Sequence, residues 1–193
     1  MSIHVEIVGA RELKAKFDKI AQGARRNIRG AVAWAQYRVT YSIQGLLSGV
    51  LLRNRTGNLE RSITPGPIED SGDRISGIVG TKQIYARIQN DGGTITAKSG
   101  ALTIPMEAAL TGAGVPRFSA RDVLANPGVG GFERAWVARD MVLASSGRTV
   151  VTLFLLRRSV TLRGQHYMEA GLDKERGAIE QRFAQALAAA VGA

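Results

Sequence analysis

One apolar stripe constrains this chain more than any other feature. From Arg11 to about Leu52, the residues Leu13, Phe17, Ile20, Ala24, Ile28, Ala31, Ala35, Val39, Ile43, Leu46 and Val50 recur at steps of three and four. That spacing builds one face of a helix. A helix this long in a small domain is expected to project, or to pack against a neighbouring subunit. Gly23, Gly30, Gly45 and Gly49 fall within it, each costing about 1 kcal/mol relative to alanine in a helix interior. They predict a break or bend near Gly23 or Gly45, with two shorter helices as the alternative.

The basic surplus sits on the same stretch. Residues 1–64 carry eleven basic and four acidic side chains, a surplus of +7 out of the formal +10 for all 193 residues. Such a field favours nucleic acid or an acidic protein surface, and Arg25, Arg26 and Arg29 are the candidate contacts. The competing reading, at even weight, is a solvated helix face. The length suits one domain spanning residues 1–193. Cysteine is absent, which removes disulfides, cysteine-based zinc sites and thiol catalysis together. Glu6, Arg11 and Glu12 interrupt the start before a signal-type apolar run forms. No apolar run approaches the ~20 residues that span a bilayer, so a soluble chain with no membrane partner is expected.

The remaining segments read mostly as short strands. Ile3–Val8 alternates apolar and polar residues up to Gly9 and is read as a strand. Arg53–Gly57 is read as a loop, Asn58–Thr64 as a strand, Pro65–Asp73 as a turn-rich connection and Arg74–Gly80 as the returning strand. Tyr85–Gln89 is read as extended and running into an Asn90-Asp91-Gly92-Gly93 turn, whose residue types accept positive φ. Thr94–Lys98 and Ala101–Pro105 then alternate between faces and are expected to form a hairpin. Pro105 must end its strand or lie on an edge, having no N–H to donate. Residues 107–147 are rich in glycine and proline and read as a loop-rich insertion with short strands or one helical turn. Arg148–Leu162 is the strongest strand signal, covered on both faces. Tyr167–Val191 is a terminal amphipathic helix. The expected class is α+β, with the long N-terminal helix packed on a mixed or antiparallel sheet of short strands.

Constellations that carry catalysis or bind cofactors are not evident. The two histidines, His4 and His166, are far apart in sequence with no ligand spacing. Gly128–Gly131 does not fit a phosphate-binding glycine pattern. Glu69-Asp70 reads as a solvent-facing turn pair with no third group to raise a pKa. Arg53, Arg55 and Arg61 flank one turn, and Arg157, Arg158 and Arg163 another. These can serve bidentate recognition or, equally, solubility and strand-edge protection. No catalytic, metal-binding or cofactor-binding residue is assigned, and the chain is not expected to be an enzyme.

Three segments, in order, resemble one family. They are Arg55-Thr56-Gly57-Asn58-Leu59-Glu60-Arg61-Ser62-Ile63; Tyr85 to Ile95 continuing to Leu102-Thr103-Ile104-Pro105; and Val151 to Leu162, followed by the terminal helix. Together they resemble the tail-completion or neck proteins of long-tailed bacteriophages, also called minor tail or virion-morphogenesis proteins. The resemblance implies a small α+β subunit of a virion, assembled in the host cytoplasm. It implies a homo-oligomeric ring, with six subunits the expected number, closing the tail tube and docking onto the head connector or stopper, with the genome passing through its lumen. Under that reading Arg55, Leu59, Arg61, Tyr85, Gly92, Gly93, Thr94, Ile95, Ile104 and Pro105 are the expected subunit-interface residues. The alternative is a basic DNA-binding module without catalytic activity.

Overall fold

The computed structural model describes residues 10–49 and 56–191, so the strand expected at Ile3–Val8 lies outside the described residues, as do Arg53 and Arg55. The elements in chain order are helix α1 (Ala10–Leu47), α2 (Asn58–Ser62), strands β1 (Thr64–Asp70) and β2 (Ile75–Gly80), α3 (Ala86–Asp91), β3 (Gly92–Thr96), β4 (Leu102–Pro105), α4 (Ala120–Ala125), β5 (Arg134–Ala138), β6 (Met141–Ser146), β7 (Thr149–Arg157), β8 (Ser159–Arg163) and α5 (Tyr167–Val191). The class is α+β, as expected. By their contacts the residues fall into two compact units. The first holds α1, α2, β1, β2 and α5; the second holds residues 85–165.

In the first unit α1 is a single helix of 38 residues that runs through Gly23, Gly30 and Gly45 without a break. Positive φ begins only at Gly49, just past its end. The glycine penalties are therefore outweighed by packing. Val39, Ile43 and Leu47 are buried with Ile63 and Tyr167 in one cluster, and α5 lies against α1. A Cβ on Gly171 of α5 would lie 2.4 Å from Ile43 Cγ1 and 3.2 Å from Ile43 N, so only glycine allows that approach. The stripe is not buried along its whole length. Phe17 is 61% exposed, whereas Ile43 is 1% exposed.

Two expectations in this unit are reversed. Asn58–Ser62 is helical rather than extended, because Leu59 and Ile63, four residues apart, both turn to the same cluster. Pro65–Asp70 is a strand rather than a loop, paired antiparallel with β2 from Thr64↔Gly80 to Asp70↔Ile75. A shift of register between Pro65 and Ile68 accommodates both prolines. The buried Gln36 of α1 covers that irregularity, its Nε2 donating to the carbonyls of Gly66 at 3.0 Å and Ile78 at 2.9 Å.

The second unit is built around a four-stranded antiparallel sheet of order β4-β7-β6-β5 and a separate ribbon of β3 with β8. Tyr85–Gln89 was expected to be extended, yet Ala86–Asp91 is a helix. Gly92 and Gly93 do take positive φ, at 76° and 135°, but they end a helix instead of turning a hairpin. The expected hairpin is not formed. β3 pairs with β8 and β4 pairs with β7. Nor is the Arg148–Leu162 run one strand. It divides at Arg158 into β7 and β8, which belong to different sheets.

Residues 107–147 are the body of this unit rather than an insertion. Phe118, Val123, Val142 and Ala144 are buried with Leu153 and Phe154 in its core. Phe118 meets Phe132 and Phe154 edge-on, each with ring centroids 6.2 Å apart. Ser119 and Asp122 form a reciprocal capping box at the start of α4. The pairing steps from Val142↔Phe154 to Leu143↔Thr152, leaving Leu153 unopposed. Consecutive Leu153 and Phe154 thus both enter the same core, while Val150 on the same strand stays 55% exposed.

Asp140, in the turn between β5 and β6, pairs with Arg157 at the end of β7. The hydrogen bond from Arg157 holds the Asp140 carboxyl below the usual aspartate range. A depressed carboxyl favours the folded state above its unfolded pKa, and that contribution is lost as pH falls through the folded value. A carbon NMR titration should find Asp140 titrating below a free aspartate, and Arg157→Gln should move it up toward the ordinary range. Gly171→Ala should lower stability by about 1–3 kcal/mol through overpacking against Ile43, read as a reduced denaturation midpoint with an unchanged slope.

Candidate subunit interface

The expected interface residues are dispersed in the structure, and several have structural roles. Arg55 lies outside the described residues. Leu59 is half-buried against the cluster around Ile43 and Ile63, which makes it a packing residue. Arg61 is exposed on α2, and its Nη2 donates to Asn58 Oδ1 at 3.1 Å. Tyr85 is 41% exposed and caps α3, its carbonyl accepting from Gln89 N at 3.2 Å.

Gly92, Gly93, Thr94 and Ile95 come together on the β3–β8 ribbon, facing Arg163, Leu162, Thr161 and Val160 in register. The ribbon starts where two backbone segments nearly touch. A Cβ on Gly92 would lie 2.5 Å from Gly164 N and 2.8 Å from the Leu162 carbonyl oxygen. The Thr94 and Thr161 hydroxyls share a hydrogen bond of 2.9 Å on an exposed face. Ile95 is 38% exposed. Each strand of the ribbon has one edge without a strand partner among the described residues, and such edges recruit further strands. Ile104 and Pro105 stand apart from the ribbon, on β4 opposite Leu155 and Phe154. β4 is an edge of the four-stranded sheet and ends at Pro105, so both placements expected for that proline hold at once.

The three arginines proposed for an acidic partner do not form one patch. Arg25 is engaged inside its own unit. Its Nε donates to Asp70 Oδ2 at 3.1 Å, its Nη2 donates to Asp70 Oδ1, and its Nη1 donates to the Gly72 carbonyl. Arg29 lies 3.8 Å from the same carboxylate. Asp70, read as solvent-facing, therefore pins the tip of the β1–β2 hairpin to α1. Arg26 shares a cleft with Lys16 and Lys19, beside Ala189 and Ala190 near the end of α5. The last turn of α5 carries no basic residue, so these cations complement the negative end of that helix.

The sequence reading passed over a second exposed surface on α1. Tyr37 and Tyr41 are 67% and 80% exposed and line a cleft with Trp34, Arg38 and Glu175. Arg38 stacks on the Trp34 ring at 5.7 Å, and its Nε donates to the buried Glu175 at 2.9 Å. The signal was available, since Trp34, Tyr37 and Tyr41 are spaced by three and four residues on a face adjoining the apolar stripe.

Among the described residues no cluster of three or more His, Cys, Asp or Glu could hold a metal ion, and no helix is long and apolar enough to cross a membrane. No family model, curated protein or solved structure matches the chain.

Gly92 and Ile95 contrast a position fixed by backbone packing with an exposed one on the same strand. Gly92→Ala should cost roughly 2–3 kcal/mol, because it joins a disfavoured φ to a backbone clash. Ile95→Ser, on the exposed face, should change stability by under about 1 kcal/mol. Thermal unfolding of the two variants checks the contrast.

Proposed function

We propose that this chain is a structural subunit of the neck or tail end of a long-tailed bacteriophage. It forms a homo-oligomeric ring, of six subunits by the family resemblance, that completes the tail and joins it to the head connector or stopper, with the genome passing through the lumen. Its work is assembly, and no reaction is assigned to it.

One observation carries this reading. The second and third segments that resemble the neck family are separated by more than forty residues, yet both strands of the second pair with the third. Gly92–Thr96 pairs with Ser159–Arg163, and Leu102–Pro105 pairs with Phe154–Arg157. The resembling segments thus supply two pairings, one in the ribbon and one in the four-stranded sheet, and among the described residues the strands they provide leave open edges on the ribbon and at β4. Open edges beside exposed apolar side chains such as Ile95 suit a chain that meets copies of itself. The long α1 supports the same reading, since its first half carries exposed Lys14, Lys16, Lys19 and Arg26 on a surface suited to an acidic connector or to DNA.

Light scattering on the purified protein should give one defined mass that is a multiple of the chain mass. Negative-stain images of the protein mixed with purified tails should place rings at one tail end. A protein that stays monomeric and binds neither tail ends nor connectors removes the proposal.

A further inference from the structure

Six residues of α1 share one face of that helix. Lys16, Lys19, Arg26, Trp34, Tyr37 and Tyr41 follow one another at steps of three, seven, eight, three and four, each a sum of three- and four-residue helical steps. The face borders α5 at both ends. Lys16, Lys19 and Arg26 line a cleft with Ala189 and Ala190, whereas Trp34, Tyr37 and Tyr41 line another with Lys174 and Glu175. From Lys16 to Tyr41 the strip runs about 38 Å at ~1.5 Å per residue. Between the two clefts α5 adds a stripe of its own, with Lys174, Ala178, Arg182, Gln185 and Ala189 at steps of four and three.

The strip is basic, and its aromatic end is open. Among the described residues the only carboxylate lining either cleft or lying on the α5 stripe is Glu175, which is buried and pairs with Arg38. Lys16, Lys19, Arg26, Lys174 and Arg182 are exposed and have no ion pair among the described residues. The end of α5 supplies only about half a negative charge, too little to balance the three cations beside it. Tyr37 and Tyr41 present most of their surface to solvent. Their cleft, of about 460 Å³, also holds an unmet polar group. Ser42 lines it, and its hydroxyl is buried without a hydrogen-bond partner among the described residues. Buried hydroxyls are ordinarily paired, and this cleft is where a ligand's polar edge would meet this one.

We infer that this strip binds single-stranded nucleic acid, with the cations holding phosphates and Tyr37 and Tyr41 stacking unpaired bases beside Ser42. A positively charged track joined to exposed aromatic rings is the combination that binds such strands without sequence preference, because every base has a π-face. Arg38, stacked on Trp34 and tied to Glu175, fixes the inner wall of the aromatic cleft. A duplex keeps its bases stacked on one another, so it would use the cations and leave the tyrosine rings without a partner. A second copy of this chain is a poor occupant, since it carries the same formal charge of +10. The inference goes beyond the neck reading and does not rest on it.

The full-length protein is titrated against a fluorescently labelled oligothymidine and a labelled duplex of equal length at several salt concentrations, with anisotropy as the readout. The single strand should bind about tenfold more tightly than the duplex. Tyr37→Ala combined with Tyr41→Ala should weaken single-strand binding by about tenfold or more, with the salt dependence kept. Lys16→Ala, Lys19→Ala and Arg26→Ala together should flatten the slope of log K against log salt by about 2, at ~0.7 per phosphate contact. In a Trp136→Phe chain Trp34 is the sole tryptophan, and the oligothymidine should quench its emission. Circular dichroism establishes that each variant is folded. Absence of binding to oligothymidine overturns the inference. So does a duplex bound equally well, or a tyrosine variant that binds undiminished, since either leaves phosphate contacts alone. Polyglutamate that displaces the oligonucleotide at equal charge concentration also overturns it, and makes the strip a surface for an acidic protein. Rings on tails formed by a protein that ignores oligothymidine remove this site and leave the neck reading standing. Binding of oligothymidine by a protein that joins no tail supports the site and removes the neck reading.

Discussion

The burial of α1 between Ala31 and Leu47 is the constraint on which the first unit depends. Over that stretch one helix meets three different surfaces. Its apolar side chains join Ile63 and Tyr167, its Gln36 amide satisfies two carbonyls of an irregular hairpin, and its backbone at Ile43 admits α5 only because position 171 lacks a Cβ. An unmet carbonyl in that position would cost on the order of 1–3 kcal/mol. The polar contact is therefore comparable in weight to a buried aliphatic side chain. Farther toward the N-terminus the same stripe has fewer partners, which is why Phe17 is exposed and Ile43 is not.

The second unit follows a different principle. Its strands are joined across sequence rather than along it. β4 reaches forward to β7 and β3 reaches forward to β8, so the segment between them has to fold back and form the rest of the sheet. This explains the composition of residues 107–147. Glycine and proline supply the turns, while the few large apolar residues, Phe118, Val123, Phe132 and Val142, are spent on one core. A low density of apolar residues was enough because they converge on Leu153 and Phe154, which the register shift in β7 turns to the same side.

Charge is used inside the fold as well as on its surface. Arg25 and Arg29 are drawn to Asp70, and Arg38 to the buried Glu175. These ties convert part of the basic excess of the first 64 residues into fixed geometry. Lys16, Lys19 and Arg26 have no ion pair among the described residues and remain available to solvent or to a partner.

Periodicity marked the two long helices, the terminal one from about Tyr167 to Val191, because a repeat of three and four over many turns has few other solutions. Turn chemistry marked positive φ at Gly92 and Gly93, and the missing N–H of Pro105 marked an edge. Short segments were misjudged wherever local pattern is ambiguous. Asn58–Ser62 and Ala86–Asp91 are each under two helical turns, too short for their period to outweigh turn-like or strand-like composition. Strand partners were beyond local reading altogether. Thr94–Thr96 and Leu102–Pro105 lie side by side in sequence, but pairing depends on which distant strand offers a matching edge and a shared core. The open face of the candidate interface was hidden for the same reason. That Gly92 is needed for its neighbour Gly164, that Leu59 faces inward and that Arg25 is held by Asp70 are facts of three-dimensional proximity. Residue type announces the capacity for a contact, and only the folded backbone chooses the partner.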